Sequence, residues 1–505
     1  MKNGVFAAIN IGASAFRMHI SEYVEGEERV LEYLIKPFRL GKDTFSKGYI
    51  SLENVYLATE ILKKFKEKLD EYNVKKNYKA VCTSGVREAV NRAFFIDHIR
   101  HETGIELEII EPANEIYIKY VGVKNDIEDF GEYEKDGVLI ANISSGNVAL
   151  AVLKDEQNIY SGALPYGSLR LRRIFGEIPR ISRYKAYEQY VKKMCYSVDT
   201  SIGKGNQLKH FVSACSSLNM LISILKPKKN LFRKAELVQL YESIKQVPRD
   251  NIMNSLGIRK EEASVLLPTL VTYLTLMEYV GTNTVEFTRQ SFPHTLSLYY
   301  AKNIRDKGFV GRVRNTIYGL GRRFNMDEKH AQTTVRFAMQ LFEKLSPIHS
   351  LGRREKLMLE AASILSDVGN YIGSKKHNQH SYYLIQSIEI PGLEREFVKI
   401  VSYLALMHNG DVESWFENKY NYFPMEKQLL IKKLVSILRI ADAMDASHMN
   451  LIDDFDVDIL HGKIVVSAKC KKTPFLEKLA FEEKGQIFMD TFGIPIEMDT
   501  RILYD

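Results

Sequence analysis

Only four cysteines occur in 505 residues, Cys82, Cys195, Cys215 and Cys470, and no two stand at the Cys-x-x-Cys spacing of a ligand pair. That sparseness argues against a disulfide framework or a cysteine-ligated metal module, and it fits a protein of the reducing cytoplasm. Long apolar runs are also missing. One long uncharged stretch, residues 263–277, contains Pro268 and several threonines. It falls short of the ~20 apolar residues needed to cross a bilayer and reads as a buried helix, so no membrane partner is expected. A secretory h-region is lacking as well: Met1-Lys2-Asn3-Gly4 leads straight into an apolar run at 5–9 that is too short for one and looks like a first strand. Proline and glycine are modest, at 13 and 30 residues, which argues against wholesale disorder.

What is present is an ordinary globular composition, 45% hydrophobic and 26% charged, in a length that suggests roughly three domains. Net charge is +7 and unevenly spread. Residues 451–505 hold seven Lys/Arg against eleven Asp/Glu, a net of −4, which leaves +11 on residues 1–450. Excess positive charge favours polyanionic partners such as polyphosphate, nucleotide or nucleic acid, although a solvated basic surface accounts for it equally well.

The first 175 residues alternate strand-like and helix-like segments. Residues 5–9 and 16–20 read as strands joined by a small-residue turn at 10–15; 52–69 reads as a helix, and 78–82 and 107–110 as short strands. A second strand–turn–strand unit follows at 138–143, 144–147 and 148–153, an internal repeat about 130 residues on. Two α/β halves that each open this way suggest a duplicated fold, with each turn offering backbone N–H groups to one phosphate chain. Helical periodicity dominates from about 180 to 445, including apolar stripes at 333–345, 356–365 and 427–444. Beyond 456 a mixture of strand-like and helix-like segments predicts a small α/β appendage.

The run Asn10-Ile11-Gly12-Ala13-Ser14-Ala15-Phe16-Arg17 resembles the opening phosphate loop of the Ppx/GppA phosphatases, the exopolyphosphatases and guanosine pentaphosphate phosphohydrolases. The resemblance continues at Arg39-Leu40-Gly41 and at Thr83-Ser84-Gly85-Val86-Arg87-Glu88-Ala89-Val90-Asn91. Further blocks follow from Ile109-Ile110 through Glu115 to Gly122-Val123, and at Leu164-Pro165-Tyr166-Gly167-Ser168-Leu169-Arg170-Leu171. Later, Asp327-Glu328-Lys329-His330-Ala331, Leu365-Ser366-Asp367-Val368-Gly369, residues 377–385 and Leu438-Arg439-Ile440-Ala441-Asp442 resemble the HD-type domain of longer family members. The resemblance implies an α/β fold class: two actin-like (acetate kinase/Hsp70 ATPase-type) lobes at 1–125 and 126–305, an all-α HD-like domain at 306–450, and the small α/β region at 451–505. It implies a cleft that takes inorganic polyphosphate or a guanosine polyphosphate, which argues against nucleic acid as the partner, and a homodimer is a further expectation.

The resemblance also implies Mg²⁺ held by carboxylates at the two loops and a glutamate that activates water. Here Asn10 stands where the family has Asp. The second loop resembles Asp-Ile-Gly-Gly-Gly-Ser-Thr-Glu but reads Asn142-Ile143-Ser144-Ser145-Gly146-Asn147-Val148-Ala149. An amide oxygen brings no negative charge, so metal affinity is expected to drop sharply. Glu115 aligns with the catalytic glutamate, and Asn10, Gly12, Arg17, Arg87, Asn142, Ser144, Ser145, Gly146 and Arg170 are the expected phosphate-binding set. A third loop corresponds to Ser213-Ala214-Cys215-Ser216-Ser217. Two readings stay open: a reduced, Glu115-based hydrolase, and an inactive sensor or scaffold that binds the anion.

In the HD-like domain His330, Asp367 and Asp442 match metal-ligand positions, but the His-Asp pair reads Ser366-Asp367, and serine is a poor ligand. The expectation is a polar cluster without tightly held metal, with His377 and His380 as packing or surface residues. The basic runs Arg170-Leu171-Arg172-Arg173, Lys226-Pro227-Lys228-Lys229 and Arg312-Val313-Arg314 read as channel linings or as solvated helix faces.

Overall fold

In the computed structural model, which describes residues 4–25, 27–144, 146–155, 157–164, 166–175, 178, 180–202, 208–214, 218–227, 230–301, 309–410 and 423–502, the chain divides into two units, Met1–Arg312 and Val313–Asp505. The first unit is built on two sheets. One contains β1 (Gly4–Ile11), β2 (Ala15–Val24), β3 (Glu27–Pro37), β4 (Tyr78–Cys82) and β5 (Leu107–Ile109) in the order β3-β2-β1-β4-β5. The other contains β6 (Val138–Ile143), β7 (Val148–Lys154), β8 (Gln157–Leu164), β9 (His210–Ser213), β10 (Leu231–Arg233) and β11 (Thr284–Phe287) in the order β10-β11-β9-β6-β7-β8.

The internal repeat is therefore topological. In both sheets the first strand pairs antiparallel with the second and parallel with the fourth, and the second pairs antiparallel with the third. Burial explains the residue choice: β6 and β7 are buried almost throughout, and their Val, Leu, Ile and Ala side chains carry no alternation. The third strands, β3 and β8, were not evident from the sequence. β3 is a sheet edge whose charged residues leave it largely exposed. The first turn is also tighter than the expected 10–15. Asn10 and Ile11 stay in the ladder opposite Arg17 and Phe16, and Gly12 N–H donates to Ala15 O at 3.1 Å.

Each sheet has its own apolar core. Ile9, Phe16, Leu62, Phe65 and Phe95 belong to the first. Leu139, Leu150, Val152, Leu266, Tyr273 and Phe287 belong to the second. The Lys260–Val280 helix is long and apolar enough to cross a membrane by length and composition, yet Leu266, Leu270, Tyr273, Leu276 and Met277 lie in the second core. After β11 the chain returns to the first lobe: in the Phe292–Ala301 helix, Phe292 and Leu296 pack with Ala8, Val81, Ile110 and Ile118.

A buried polar cluster fastens this return. Glu28 on β3 accepts hydrogen bonds from Ser21 at 2.6 Å and Tyr23 at 2.9 Å, and meets His19 at 3.2 Å and His294 at 2.7 Å. Tyr23 and Ser297 hydroxyls are 2.8 Å apart.

The second unit is a helical layer with a small sheet. Its helices include Glu328–Lys344, Arg353–Leu365, His377–Ser387, Arg395–Met407, Met425–Ala443 and Phe475–Phe492. Strands β12 (Ile452–Leu460), β13 (Lys463–Cys470) and β14 (Ile496–Ile502) run antiparallel and then parallel. The Phe475–Phe492 helix packs on Met425–Ala443, and Gln340 donates to Phe455 O at 2.7 Å, so the terminal α/β segment is joined to the helices.

Burial raises the Glu28 pKa, but hydrogen bonds from His19, His294 and Ser21 outweigh it and hold the carboxyl well below its ordinary 4.5. A depressed folded pKa stabilises above the unfolded value and the contribution is lost as pH falls through the folded one. Glu28→Gln should therefore cost ~1.5–3 kcal/mol at neutral pH. Its unfolding midpoint should converge on that of the natural chain only below pH 4.5. Denaturant unfolding across pH checks this; a deficit constant down to strong acid would contradict it.

Candidate functional site

The loop residues converge with the helix Pro112–Asp126. Proline at its first position suits a helix start, and Glu115 falls in the first turn, where the helix dipole favours a carboxylate. Lys119 lies four residues on, on the same face. The resulting network is buried. The Arg87 guanidinium donates to Ile110 O at 2.6 Å and meets Glu115 Oε2 at 3.4 Å. Asn142 Nδ2 donates to Glu115 Oε1 at 3.2 Å, while Lys119 Nζ donates to Asn142 Oδ1 at 2.9 Å and to Ala214 O at 3.0 Å. Lys119 also sits over the Phe292 ring at 5.1 Å.

Sequence reasoning missed Lys119, though a lone charge inside Ile116-Tyr117-Ile118-Lys119-Tyr120-Val121 was a usable signal. Asn10 is buried at the end of β1, and its Oδ1 has no hydrogen-bond partner among the described residues. Arg17 lies opposite it on β2, and its guanidinium passes Gly12 closely: a Cβ there would be 3.6 Å from Nη1.

The residues present do not fit a bound divalent cation. Among the described residues Glu115 is the one carboxylate in the network, against the buried cations Arg87 and Lys119. Asn142 Oδ1, an expected metal-side oxygen, already takes the Lys119 ammonium; an ion ~2.1 Å from that oxygen would lie within about 5 Å of Nζ. Glu115 meets a cation on one oxygen and an amide on the other, so neither is free of a partner.

The remaining expected residues divide. Ser144 turns its hydroxyl back into its own loop, to Asn147 Oδ1 at 2.6 Å and Asn147 O at 2.9 Å. Ser145 and Cys215–Ser217 lie outside the described residues; Ser213 Oγ is 2.6 Å from Tyr273 OH. Arg170 is already engaged. Its Nε donates to Gly146 O at 2.5 Å, it forms an ion pair with Glu88, and it lies over the Phe45 ring at 4.6 Å. Burial pulls its pKa down. Of the basic runs, Arg173 donates to Ser46 O, Arg312 covers the Tyr120 ring, and Arg314 pairs with Glu360. The Arg172 side chain and residues 228–229 lie outside the described residues.

In the second unit, His330, Asp367 and Asp442 do come together, as an ion-pair cluster. The Asp327 carboxylate caps the Glu328–Lys344 helix, accepting from Lys329 and His330 N–H. His330 Nδ1 is 2.9 Å from Asp445 and Nε2 is 3.2 Å from Asp442 and 3.6 Å from Asp367. Burial lowers the His330 pKa, but hydrogen bonds to Asp442 and Asp445 and the charges of Asp442 and Asp367 raise it from 6.5 to about 10. Lys484 pairs with the far oxygen of Asp442. Both His330 nitrogens thus already face carboxylates, Asp445 on one side and Asp442 with Asp367 on the other. His377, expected as a packing or surface residue, faces Asp367 and a residue not singled out from the sequence, His408.

The comparisons agree with this architecture. The Ppx/GppA phosphatase family profile matches residues 19–292, and the Ppx/GppA phosphatase domain III profile matches 313–472. The chain belongs to the Ppx/GppA phosphatase family. It is similar to the guanosine-5'-triphosphate,3'-diphosphate pyrophosphatase of Photobacterium profundum, with 20% identity over 86% of this chain and 85% of that one. The enzyme of that name from Aeromonas hydrophila subsp. hydrophila is 23% identical over 86% of each. Among solved structures, an exopolyphosphatase from Cytophaga hutchinsonii superposes with a TM-score of 0.52 at 20% identity, covering 60% of this chain and 99% of its own. The Aquifex aeolicus family member gives 0.52 at 17%, covering 61% and 100%. These likenesses establish the actin-like α/β fold.

Gly146 tests how tightly the second loop is held. A Cβ there would stand 2.2 Å from Phe45 Cζ and 2.7 Å from Ser84 Oγ. Gly146→Ala should destabilise the first unit by ~1–3 kcal/mol, and Phe45→Ala in the same chain should recover part of that loss. Strictly additive losses in denaturant unfolding would contradict the contact.

Proposed function

We propose that the first unit binds a linear phosphoanhydride chain, polyphosphate or guanosine penta- or tetraphosphate, through fixed side-chain cations, with little or no turnover. The observation that carries this reading is the Lys119 ammonium on Asn142 Oδ1, a buried positive charge beside a residue that replaces an expected metal-binding aspartate. Arg87 adds a second, and Arg17 lies at the first loop. Arginine's planar fork suits phosphate oxygens. Asn10 Oδ1, buried and without a partner among the described residues, accepts a hydrogen bond from a bound water or a protonated phosphate oxygen.

The same arrangement disfavours chemistry. Phosphoryl transfer depends on positioning and on stabilising charge at the transferring and leaving oxygens. Glu115 is the residue that would orient the attacking water, and both of its oxygens already have partners in the protein. Losing charge-stabilising groups from such a site costs ~10²-fold or more each.

Calorimetry with short-chain polyphosphate and with pppGpp tests the reading. Binding should be equal in magnesium and in chelator and should weaken as salt rises. Lys119→Met should weaken it ~10-fold or more, about the worth of one charge-assisted hydrogen bond. Asn10→Asp with Asn142→Asp should still bind without magnesium, because Lys119 would pair with the carboxylate introduced at position 142. Adding Lys119→Met to that pair should make magnesium a requirement. Wild-type binding that vanishes in chelator, or phosphate release at the ~1–10³ s⁻¹ usual for enzymes, would overturn the proposal.

A further inference from the structure

In the second unit three ligand atoms form a nearly equilateral triangle. His377 Nε2 and His408 Nε2 are 3.2 Å apart, and Asp367 Oδ1 is 3.3 Å from the first and 3.2 Å from the second. We propose that Asp367, His377 and His408 bind one divalent transition-metal ion, with Zn²⁺ the best fit, in an open three-ligand site. A tetrahedral ion with ligands ~2.0–2.1 Å away requires ligand atoms about 3.3 Å from each other. Two nitrogens and one carboxylate oxygen suit zinc rather than magnesium, which prefers oxygen.

The opposite edges of both rings fix where the lone pairs point. His377 Nδ1 lies 3.2 Å from Ser374 O, and His408 Nδ1 lies 2.7 Å from Ala405 O. A carbonyl only accepts, so each Nδ1 carries a proton. In the neutral rings both Nε2 lone pairs then point into the triangle together with a carboxylate oxygen. Three electron-rich atoms at this spacing repel unless a cation lies among them.

The backbone around the triangle is pinned. Asp367 follows the Arg353–Leu365 helix, His377 opens the His377–Ser387 helix, and His408 closes Arg395–Met407. Ser381 Oγ donates to Ser366 O at 2.5 Å and accepts from Gly369 N–H at 2.8 Å, which clamps the turn carrying Asp367. That turn lies so close that a Cβ on Gly369 would stand 2.0 Å from His377 O. Asn378 Nδ2 donates to Leu406 O at 2.9 Å and Asn409 O at 2.8 Å, tying the start of one histidine's helix to the end of the other's. The other Asp367 oxygen faces His330 Nε2 at 3.6 Å. His408 is buried, whereas the side chains of Asp367 and His377 are 18% and 17% exposed, so the fourth position is reachable by water.

The test uses the full chain, stripped with chelator and titrated with Zn²⁺ and with Co²⁺, whose visible d–d absorption reports low-symmetry four-coordinate binding. One equivalent should bind, with that absorption. His377→Ala and His408→Ala should each weaken binding by ~10²-fold or more; Asp367→Asn keeps the shape of the carboxylate and should weaken it too. His380→Ala, outside the triangle, should not. Failure of metal-free chain to bind either ion stoichiometrically would overturn the proposal and leave a proton as the occupant. Binding that survives both histidine substitutions would overturn it equally. The wild-type cobalt spectrum decides even if a variant fails to fold.

Discussion

The hydrogen bond from the Lys119 ammonium to the Asn142 amide oxygen organises the interior chemistry of the first unit. It joins the helix carrying Glu115 to the central strand of the second sheet, and it sets the sign of the charge there. A buried ammonium must be matched by acceptors. Two of its acceptors are an amide oxygen and the Ala214 carbonyl, neither of them anionic. Glu115, the carboxylate of this network among the described residues, meets Arg87 and the Asn142 amide. Two cations, Arg87 and Lys119, thus stand with the single carboxylate Glu115 in these hydrogen bonds, which suits the proposed anionic ligand.

The duplicated sheets were legible because their inner strands have few alternatives. Val138–Ile143 and Val148–Lys154 are short, apolar and joined by a polar turn. The third strands were not legible. Glu27–Pro37 carries charge along an exposed edge, where burial imposes no pattern. Glu115 and Arg87 could be placed by resemblance, whereas Lys119 had to be found by packing, because its role depends on Asn142 and Ala214, distant in sequence.

The helical unit shows the same division. Ser366 stands where the HD-type pattern has histidine, and the region around His330 and Asp442 is rich in ion pairs. His377 was visible but its partner was not: His408 ends a helix that reads only as an apolar stripe, and no spacing rule links it to Asp367. A single carboxylate thus faces two different environments, His330 on one oxygen and the His377–His408 pair on the other.

The contacts of Arg170 have a consequence for affinity. Its guanidinium lies across the seam between lobes, held by Glu88 and Phe45 on one side and by the Gly146 carbonyl of its own lobe on the other. On the proposed reading, a phosphate chain bound beside Gly146 takes Arg170 only by displacing that grip. Occupancy is then gated: apparent affinity is the intrinsic affinity scaled by the fraction of molecules momentarily open. A side chain reorients on ps–ns times, far faster than ligands arrive, so this grip lowers affinity without slowing association.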